Sequence, residues 1–512
     1  MLYYYICLAI LLFFFFLLGN HIYQDLKQHA YVKYVIPYCL LLTLIFKFNY
    51  GIEFWGLEYE DAYSFSFCAR QFSHNIYPSS FLTDAVAIGS LEEPVSMFTY
   101  GGHFITYSTF LSIFTRPLGW SPQLIFTINT FVSFIILLIL SLIGKNNKLW
   151  FLAPSLYCVA PIINVFTTCC LSEIFSSLVC LSFVYTYLNT DSKRNIVLCL
   201  TSFGLALLCK RENLALLFIP TLDIVISICK HKQLQEVSKK IKEFIPYIFI
   251  ILIYLFGCQN IFNIERVEAI DIGQSTFSWQ NFKIMFPLYI KSLSSLSLFS
   301  VCTYLYIAYI IYAAFDKCAR NTSLLLSMSM LILYMSLYAS HYRGWFFLKG
   351  EEINEFDTFR YINNFFYFIP LAFCTFKVFN RKLIALSTFV LLSFSVYQTF
   401  QLRINLSNIE YESRFQEVDI VKEYLERQEE TCMLICDNIL LYQNKCDSNF
   451  SVCDITNIDF LKLDNNKYSY YVLLPEIDYL EERHNIKINH NHLTPVLTIP
   501  GDRHLYKYKL KE

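Results

Sequence analysis

The sequence predicts an all-α polytopic membrane bundle of about 12 transmembrane helices and one interfacial helix, followed by a small C-terminal α/β extracytoplasmic domain. Three observations lead to this prediction. Charged residues make up only 16% of the chain, against about 25% in soluble domains. Charge is sparse from residue 1 to about 402 and ordinary from there to 512. Long apolar runs fill the first region, whereas the second mixes short apolar runs with polar ones.

The apolar runs set the number of helices, because about 20 such residues span the hydrocarbon core. The candidate spans centre on 2–18, 34–48, 103–118, 122–143, 149–168, 172–188, 196–209, 213–229, 244–258, 292–314, 323–340, 361–378 and 383–401. The first run has neither a basic start nor a small-residue cleavage site, so we interpret it as a retained span and not as a signal peptide.

Lysine and arginine residues in short loops orient the bundle, because such loops stay in the cytoplasm. The clearest inside loop runs from Lys230 to Lys242. It places the two longest gaps between apolar runs, 49–102 and 259–291, on the outer face. The alternation of sides is consistent only if segment 103–118, which polar side chains interrupt, lies at the outer interface as a helix that does not cross.

This topology divides the chain into a transmembrane module, 1–402, and a soluble outer domain, 411–512. In the domain, helical spacing over 418–430 and buried-strand patterns at 431–436 and 470–474 predict an α/β fold. The domain has no glycine-rich phosphate loop, so we interpret it as a docking or acceptor-recognition module. Its cysteines can form disulfides outside the cell or stay as buried thiols, and they are Cys432, Cys436, Cys446 and Cys453.

Composition also limits which partners the protein can bind and where in the cell it is expected. The formal net charge of −1 gives no field that would attract nucleic acid. The sequence has no Cys/His pattern with zinc-ligand spacing. Its richness in Phe, Tyr, Ile, Asn and Lys points to an AT-rich, bacterial genome. We therefore expect a multi-pass protein of the bacterial inner (plasma) membrane, with its functional side facing the periplasm or exterior.

An acidic cluster follows the second apolar run. Glu58, Glu60 and Asp61 place three carboxylates in four positions, just before Tyr63 and an aromatic stretch. A carboxylate at the membrane surface can take the proton of an acceptor hydroxyl, and adjacent carboxylates can share a divalent metal. The alternative is a solvated loop with ordinary acids.

Two outward turns between apolar runs also carry charge. Glu173 is a lone acid near the membrane, where ionisable residues are functional candidates, although a loop acid can simply face water. Lys210 and Arg211 stand together on the side that the positive-inside rule disfavours. Two cations at an outer helix junction suit a phosphate group, whereas the other interpretation is a positive anchor.

Further candidates border the outer loops. His103 precedes the interfacial segment, where it can face an anion or be a plain interfacial residue. Arg343 and Arg360 border a late outer loop, and Arg360, at the entry of a span, can bind a phosphate or extend its side chain to the interface. Lys47, near the outer end of its run, is expected to extend to the interface as well.

These residues together resemble short motifs of the GT-C superfamily of membrane glycosyltransferases, which includes polyprenyl-phosphate-dependent arabinofuranosyl- and mannosyltransferases. The acidic loop is similar to that family's Asp-Asp-Ala-Tyr signature, with Glu60 where the first Asp is usual. The turn at Lys210 resembles a basic Arg-Pro-Glu turn, although the proline is absent. The other matches are Ala69-Arg70, His103 with its apolar helix, Leu171-Ser172-Glu173 and Arg360-Tyr361, whereas region 259–360 matches no motif of the family.

The resemblance implies inverting transfer of a sugar from a polyprenyl-phosphate donor to a glycan, lipid or protein acceptor. It implies that Asp61 is the general base and that Glu60 or Glu173 orients the acceptor or helps to hold a metal. A divalent cation, Mg²⁺ or Mn²⁺, would be bound by those three carboxylates. The donor phosphate would meet Lys210, Arg211, Arg343 and Arg360, and the acceptor would be oriented by Glu58, Tyr63 and His103.

Two other functions fit parts of the pattern. An O-antigen-type polymerase or ligase also has about 12 spans with outer catalytic loops, but such enzymes concentrate basic residues in one late outer loop. A non-enzymatic transporter or flippase of lipid-linked sugars would favour charges deep inside the spans. Here the charges cluster at the outer ends of the spans.

Overall fold

The computed structural model describes residues 2–28, 31–48, 60–73, 75, 87–88, 105–143, 150–188, 193–221, 224–225, 234–256, 279, 283, 367, 370–371, 381–410, 416–436, 442, 451–455, 468–474, 490–500 and 503–509. Its helices are α1 (Leu2–Gln28), α2 (Val32–Leu42), α3 (Glu60–Ser73), α4 (Thr106–Leu118), α5 (Pro122–Ile143), α6 (Leu152–Val159), α7 (Pro161–Val165), α8 (Glu173–Tyr187), α9 (Lys193–Cys209), α10 (Leu234–Phe256), α11 (Arg381–Glu410) and α12 (Gln416–Glu426). Its strands are β1 (Ala87–Ile88), β2 (Cys432–Cys436), β3 (Ser451–Asp454), β4 (Ser469–Leu474), β5 (Leu493–Ile499) and β6 (Arg503–Tyr508).

Among the described residues, three helices are long and apolar enough to cross a bilayer. Their spanning parts are Tyr4–Lys27, Pro122–Ile143 and Lys382–Asn405. The 22 residues of α5 rise about 33 Å, which matches the hydrocarbon core. The chain is therefore an integral membrane protein with a helical body, as predicted, and the total of about 12 spans stays a prediction.

The predicted span at 149–168 is interrupted. Helix α6 ends at Val159, Ala160 is extended with φ −83° and ψ 108°, and α7 begins with Pro161. Proline has no N–H to donate and disfavours the helical conformation of the residue before it, so the break falls at Ala160. A short 3₁₀ helix, Phe166–Thr168, follows α7. The break leaves backbone carbonyls of this segment available to side chains from other helices.

Helix α4 lies within the segment predicted to be interfacial. Its 13 residues rise about 20 Å, which is too short to cross a core of about 30 Å. Its first two turns, residues 106–112, are buried on all sides and are rich in hydroxyls, including those of Ser108 and Ser112. The hydroxyl of Ser108 donates to the carbonyl of Phe65 in α3, at 2.9 Å. The N-terminal half of the helix is thus packed inside the bundle, and its depth in the bilayer stays a prediction.

The C-terminal region forms the predicted α/β unit around one six-stranded sheet of order β1-β3-β2-β4-β6-β5. Strand β2 runs parallel to β3 and β4, whereas β6 is antiparallel to β4 and β5. Strand β2 is completely buried, as expected for a central strand made of apolar residues. Cys432, Cys436 and Cys453 are buried in the sheet, the Cys432 thiol is free, and Cys446 lies outside the described residues.

One strand of this sheet comes from segment 49–102, which is predicted to be the first outer loop. Strand β1 pairs antiparallel with β3, with Ala87 opposite Cys453 and Ile88 opposite Val452. The apolar pattern of the C-terminal region does not predict this contribution, because the two strands are far apart in sequence. Segment 49–102 and the C-terminal domain therefore share one hydrogen-bonded sheet.

Helix α12 is held on the sheet by a buried carboxylate. The hydroxyl of Tyr442 donates to Oε1 of Glu417 at 2.5 Å, and Nη1 of Arg503 lies 3.3 Å from the same carboxylate. Burial, followed by the negative charge of Glu417, raises the pKa of Tyr442 well above its ordinary value. Tyr442 therefore stays a neutral donor, and the cluster fixes the helix to β6.

A second carboxylate, Glu430, lies on the exposed surface between α12 and the sheet. The Ser469 hydroxyl donates to Oε2 of Glu430, and Nζ of Lys507 lies 3.6 Å from it. The hydrogen bond, then the lysine charge, lowers the pKa of Glu430 below its ordinary value of 4.5. The ionised form of Glu430 is the one that the folded domain prefers.

Candidate active site

Glu173 occupies the first position of helix α8. Its side chain is 0% exposed, and the backbone N–H groups of a first helical turn stabilise a negative charge at this position. The structure places this residue at the start of a helix, as expected for a junction between two helices, and its position on the outer side stays a prediction. The alternative of a loop acid that simply meets water is wrong, since the carboxylate is inside the protein.

Lys210 meets this carboxylate from the neighbouring helix pair. The chain leaves α9 at Cys209, passes through Lys210 in an extended conformation with φ −153° and ψ 136°, and enters a 3₁₀ helix, Arg211–Leu217. Nζ of Lys210 lies 2.8 Å from Oε1 of Glu173. The lysine side chain keeps 13% exposure, so the pair has one fully buried and one partly accessible partner.

Asn213 holds the turn that carries Lys210. Its Nδ2 donates to the carbonyl of Ala206 and to the hydroxyl of Ser176, both at 2.8 Å. The first bond goes to a carbonyl at the end of α9 that also accepts from the Lys210 N–H at 3.1 Å, and the second ties the turn to α8. Sequence reasoning missed the role of Asn213. The sequence feature that could have indicated it is an amide side chain within the charged turn Lys210–Asn213, which has almost no loop around it.

The start of α4 hydrogen-bonds to the end of α9. Thr106 Oγ1 donates to the carbonyl of Leu208 at 2.5 Å, two residues before Lys210. The next residue, Tyr107, packs between Phe65 of α3 and Phe175 of α8, with ring centroids 5.5 and 6.1 Å away. Helices α3 and α4 are thereby brought to the side of the bundle that holds the Glu173–Lys210 pair.

Helix α3 begins at Glu60 and Asp61, the acids predicted to be catalytic. Asp61 precedes Phe65 by four residues, so the two positions share one face of the helix. Ring contacts from Phe65 through Tyr107 to Phe175 link the helix that carries the acidic motif to the helix that begins at Glu173. The structure describes no side chain for Glu60 or Asp61, so their contacts stay predictions.

Several predicted site residues lie outside the described part of the chain. Glu58, His103, Arg343 and Arg360 are among them, as are the side chains of Tyr63 and Arg211. Within the described residues, no group of three His, Cys, Asp or Glu side chains could hold a metal ion. The predicted metal set includes two acids whose side chains are not described, so a divalent cation stays a prediction.

Lys47 corrects one expectation. It lies at the end of a π-helical turn, Thr43–Lys47, and its side chain does not extend to the interface as predicted, because the residue is 1% exposed. Its Nζ donates to the carbonyl of Ile163 at 3.3 Å and lies 4.8 Å from the centre of the Tyr157 ring. Ile163 lies in the last turn of α7, where carbonyls lack internal partners, and the sequence pattern does not indicate that the helix ends there.

Arg403 is a second buried cation that sequence reasoning missed. It is 2% exposed and lies in α11. Its guanidinium donates to the carbonyls of Phe46, Phe48 and Asn164 at 2.8–2.9 Å and to the Thr167 hydroxyl at 3.1 Å. The signal was present, since an arginine at the end of an apolar run is a functional candidate.

Comparisons with known proteins show similarity at the level of structure. No protein-family model matches the sequence, and no curated protein sequence matches it. The structure of ArnT from Cupriavidus metallidurans bound to undecaprenyl phosphate aligns with a TM-score of 0.60 and 11% identity, over 93% of this chain and 98% of ArnT. ArnT in the apo state aligns over the same shares with a TM-score of 0.57 and 12% identity.

A third structure aligns less well. It is the oligosaccharyltransferase AglB from Archaeoglobus fulgidus, in complex with an inhibitory peptide and a dolichol-phosphate. The TM-score is 0.49 at 11% identity, over 83% of this chain and 65% of AglB. At identities of 11–12%, the ArnT alignments establish a common fold along nearly the whole of both chains.

Proposed function

From the premise that this chain has the fold of the GT-C superfamily of membrane glycosyltransferases, we propose that it transfers a sugar from a polyprenyl-phosphate donor to a glycan, lipid or protein acceptor on the outer face of the membrane, with inversion. The observation that carries the proposal is the alignment, along nearly its entire length, with a structure of ArnT that holds undecaprenyl phosphate. The lipid tail would lie in the bilayer and the sugar phosphate at its outer surface.

The Glu173–Lys210 pair supports a role in binding the donor phosphate. Lys210 is held in place by a contact of 2.8 Å but keeps an accessible edge. An ammonium that is fixed in advance stabilises charge on a leaving phosphate without reorganising during the reaction. Lys210 would contact the phosphate with Arg211, and Arg343 or Arg360 would neutralise the leaving group. Glu173 would act by positioning Lys210.

Asp61 would serve as general base. The hydroxyl of the acceptor would attack the anomeric carbon as Asp61 takes its proton, and the bond from that carbon to the phosphate oxygen would break. The electron pair of the broken bond would stay on the polyprenyl phosphate. Glu60 would orient the acceptor with Glu58, Tyr63 and His103. If a divalent cation takes part, Glu60, Asp61 and Glu173 would be its ligands.

The test is sugar transfer from a polyprenyl-phosphate donor, measured in membranes that contain the intact protein. Asp61→Asn should lower the rate by about 100-fold or more, because a positioned general base contributes about that much. Asp419→Asn is the matched control, since Asp419 is an exposed acid on α12 of the C-terminal domain. A rate for Asp61→Asn within a few-fold of the parent would contradict the assignment.

The donor site has its own test. Lys210→Ala should raise KM for the donor more than KM for the acceptor, because the ammonium is proposed to bind the phosphate. If only the KM for the acceptor changes, the phosphate role is wrong. Measuring donor translocation in the same vesicles separates transfer from transport. Movement of the donor across the membrane without transfer of its sugar would indicate a carrier.

A further inference from the structure

Arg403 binds the end of the helix that leads into the first outer loop. The π-helical turn after α2 ends at Lys47, and Phe48 is extended with φ −71° and ψ 141°. Nη2 of Arg403 donates to the carbonyl of Phe46 at 2.9 Å, and Nη1 donates to the carbonyl of Phe48 at 2.8 Å. The last carbonyls of a helix lack internal partners and carry partial negative charge. A buried guanidinium satisfies them here.

The same guanidinium reaches the interrupted helix pair. Nη2 also donates to the carbonyl of Asn164 at 2.9 Å and to the hydroxyl of Thr167 at 3.1 Å. Lys47 binds the adjacent carbonyl, that of Ile163, at 3.3 Å. Arg403 and Lys47 therefore hold together the π-helical turn after α2, the end of α7 and the 3₁₀ helix after it. A planar guanidinium with five donors can hold several carbonyls at once, which a lysine ammonium does less well.

Arg403 is the last of three buried polar residues at intervals of four along α11. Ser395 donates to the carbonyl of Cys158 at 2.9 Å, and Thr399 accepts from Nδ2 of Asn164 at 3.1 Å. All three share the helix face that packs on α6 and α7. Only Arg403, of the three, is bonded to the chain that enters the first outer loop. Substitutions of Thr399 and Arg403 can therefore distinguish an effect on the packing of α11 from an effect on the position of the loop.

The first outer loop is held a second time by the C-terminal domain. Ile88 of β1 pairs with Val452 of β3, in the sheet that follows α11 and α12 along the chain. Segment 49–86 therefore runs between two attachments to the C-terminal part of the protein. Helix α3, with Glu60 and Asp61 at its start, lies within that segment.

We infer that Arg403 is a positioning residue, which fixes the path of the chain from the end of α2 into the first outer loop and so sets the placement of helix α3. For its effect on catalysis, the inference rests on the proposed function. Arg403 touches neither donor nor acceptor. It acts by donating hydrogen bonds to the carbonyls of Phe46 and Phe48. Through this contact, a residue from the C-terminal third of the chain helps to position the active site.

Kinetics of the intact protein in membranes provide the first test. Arg403→Gln should lower kcat by about 10- to 100-fold, because small misplacements of reacting groups cost that much, with KM for the donor changed by no more than a few-fold. Arg403→Lys keeps the charge and should recover part of the loss. Thr399→Val is the matched control, since it removes a buried bond of the same helix face but leaves the Phe46 and Phe48 carbonyls occupied.

Limited proteolysis of the first outer loop provides a readout that needs no activity. Arg403→Gln should speed cleavage within 49–59 relative to the parent, Arg403→Lys should do so less, and Thr399→Val should leave it unchanged. Equal cleavage in Arg403→Gln and Thr399→Val, or equal kcat, would overturn the inference. If Arg403→Gln does not accumulate in membranes, the comparison of Arg403→Lys with Thr399→Val decides by the same criteria. If the parent shows no transfer, the proposed function fails, and proteolysis still decides the role of Arg403.

Discussion

Replacing Lys210 with methionine should destabilise the protein more than replacing Glu173 with glutamine, although both changes break the same ion pair. The two charged atoms are 2.8 Å apart, which corresponds to about 6 kcal/mol of attraction at an effective dielectric constant of about 20. The cost of desolvating both groups offsets most of that attraction. Removing one partner leaves the other charge buried, which typically costs about 3–5 kcal/mol.

The exposure of each partner decides the order. Lys210→Met removes the ammonium from a carboxylate that is 0% exposed, so the cost should lie near the upper end of that range. Glu173→Gln leaves an ammonium that is 13% exposed, and this ammonium can still donate a hydrogen bond to the glutamine side-chain oxygen. We therefore expect the free energy of unfolding to fall by about 1–3 kcal/mol. The double variant removes both charges of the pair and should be more stable than Lys210→Met alone.

Thermal unfolding in detergent measures this order. Every cysteine that the structure describes is buried, so unfolding should increase the reaction of these thiols with a fluorogenic reagent. Lys422→Met is the control, because its pair with Glu426 is 3.8 Å long and exposed on α12, where such pairs contribute about 0–1 kcal/mol. If Glu173→Gln proves the more destabilising change, or if the two losses simply add in the double variant, the assignment of a buried, coupled pair is refuted.

Three further outcomes concern the C-terminal domain. Tyr442→Phe should destabilise it by about 1–3 kcal/mol, because the buried Glu417 carboxylate loses a donor, and thermal unfolding of the whole protein checks this. Glu430 has a lowered pKa in the folded state, so its stabilising effect is present above about pH 4.5 and is lost as pH falls through the folded pKa. Glu430→Gln should therefore flatten the acid side of the stability profile, and an unchanged profile would contradict this. Ile88→Cys with Val452→Cys should form a reducible cross-link between loop and domain, which neither single variant forms.

Apolar periodicity predicted the elements whose stability is local. The run at 122–143 is helix α5, and the run at 383–401 lies within α11. The strands predicted at 431–436 and 470–474 match β2 and β4 closely. These elements bury continuous apolar surface, so the pattern that stabilises them is visible in the sequence itself. The run at 149–168 was predicted as one helix, and the break before Pro161 shows that a single proline can outweigh its apolar content.

The candidate site was predicted in part. Charge placed at outer junctions identified Glu173 and Lys210 separately, and the structure joins them. The contacts of Asn213 and Arg403 could not be predicted, because each depends on carbonyls that the fold brings close and that no residue type signals. Lys47 was misplaced for the same reason. An apolar run with a terminal lysine predicts a side chain at the interface unless a broken helix offers it a buried acceptor.

The pairing of β1 with β3 also has a consequence for how the C-terminal domain can be produced. Within the described part of the sheet, β1 covers one side of β3, and β3 would otherwise be an edge strand. A domain expressed from residue 411 onward would lack that cover and would expose the backbone N–H and C=O groups of β3. Such edges pair readily with other chains, so the isolated domain should tend to associate. Supplying a short peptide that spans Ala87 and Ile88, or fusing it to the domain, would be the rational way to keep it monomeric.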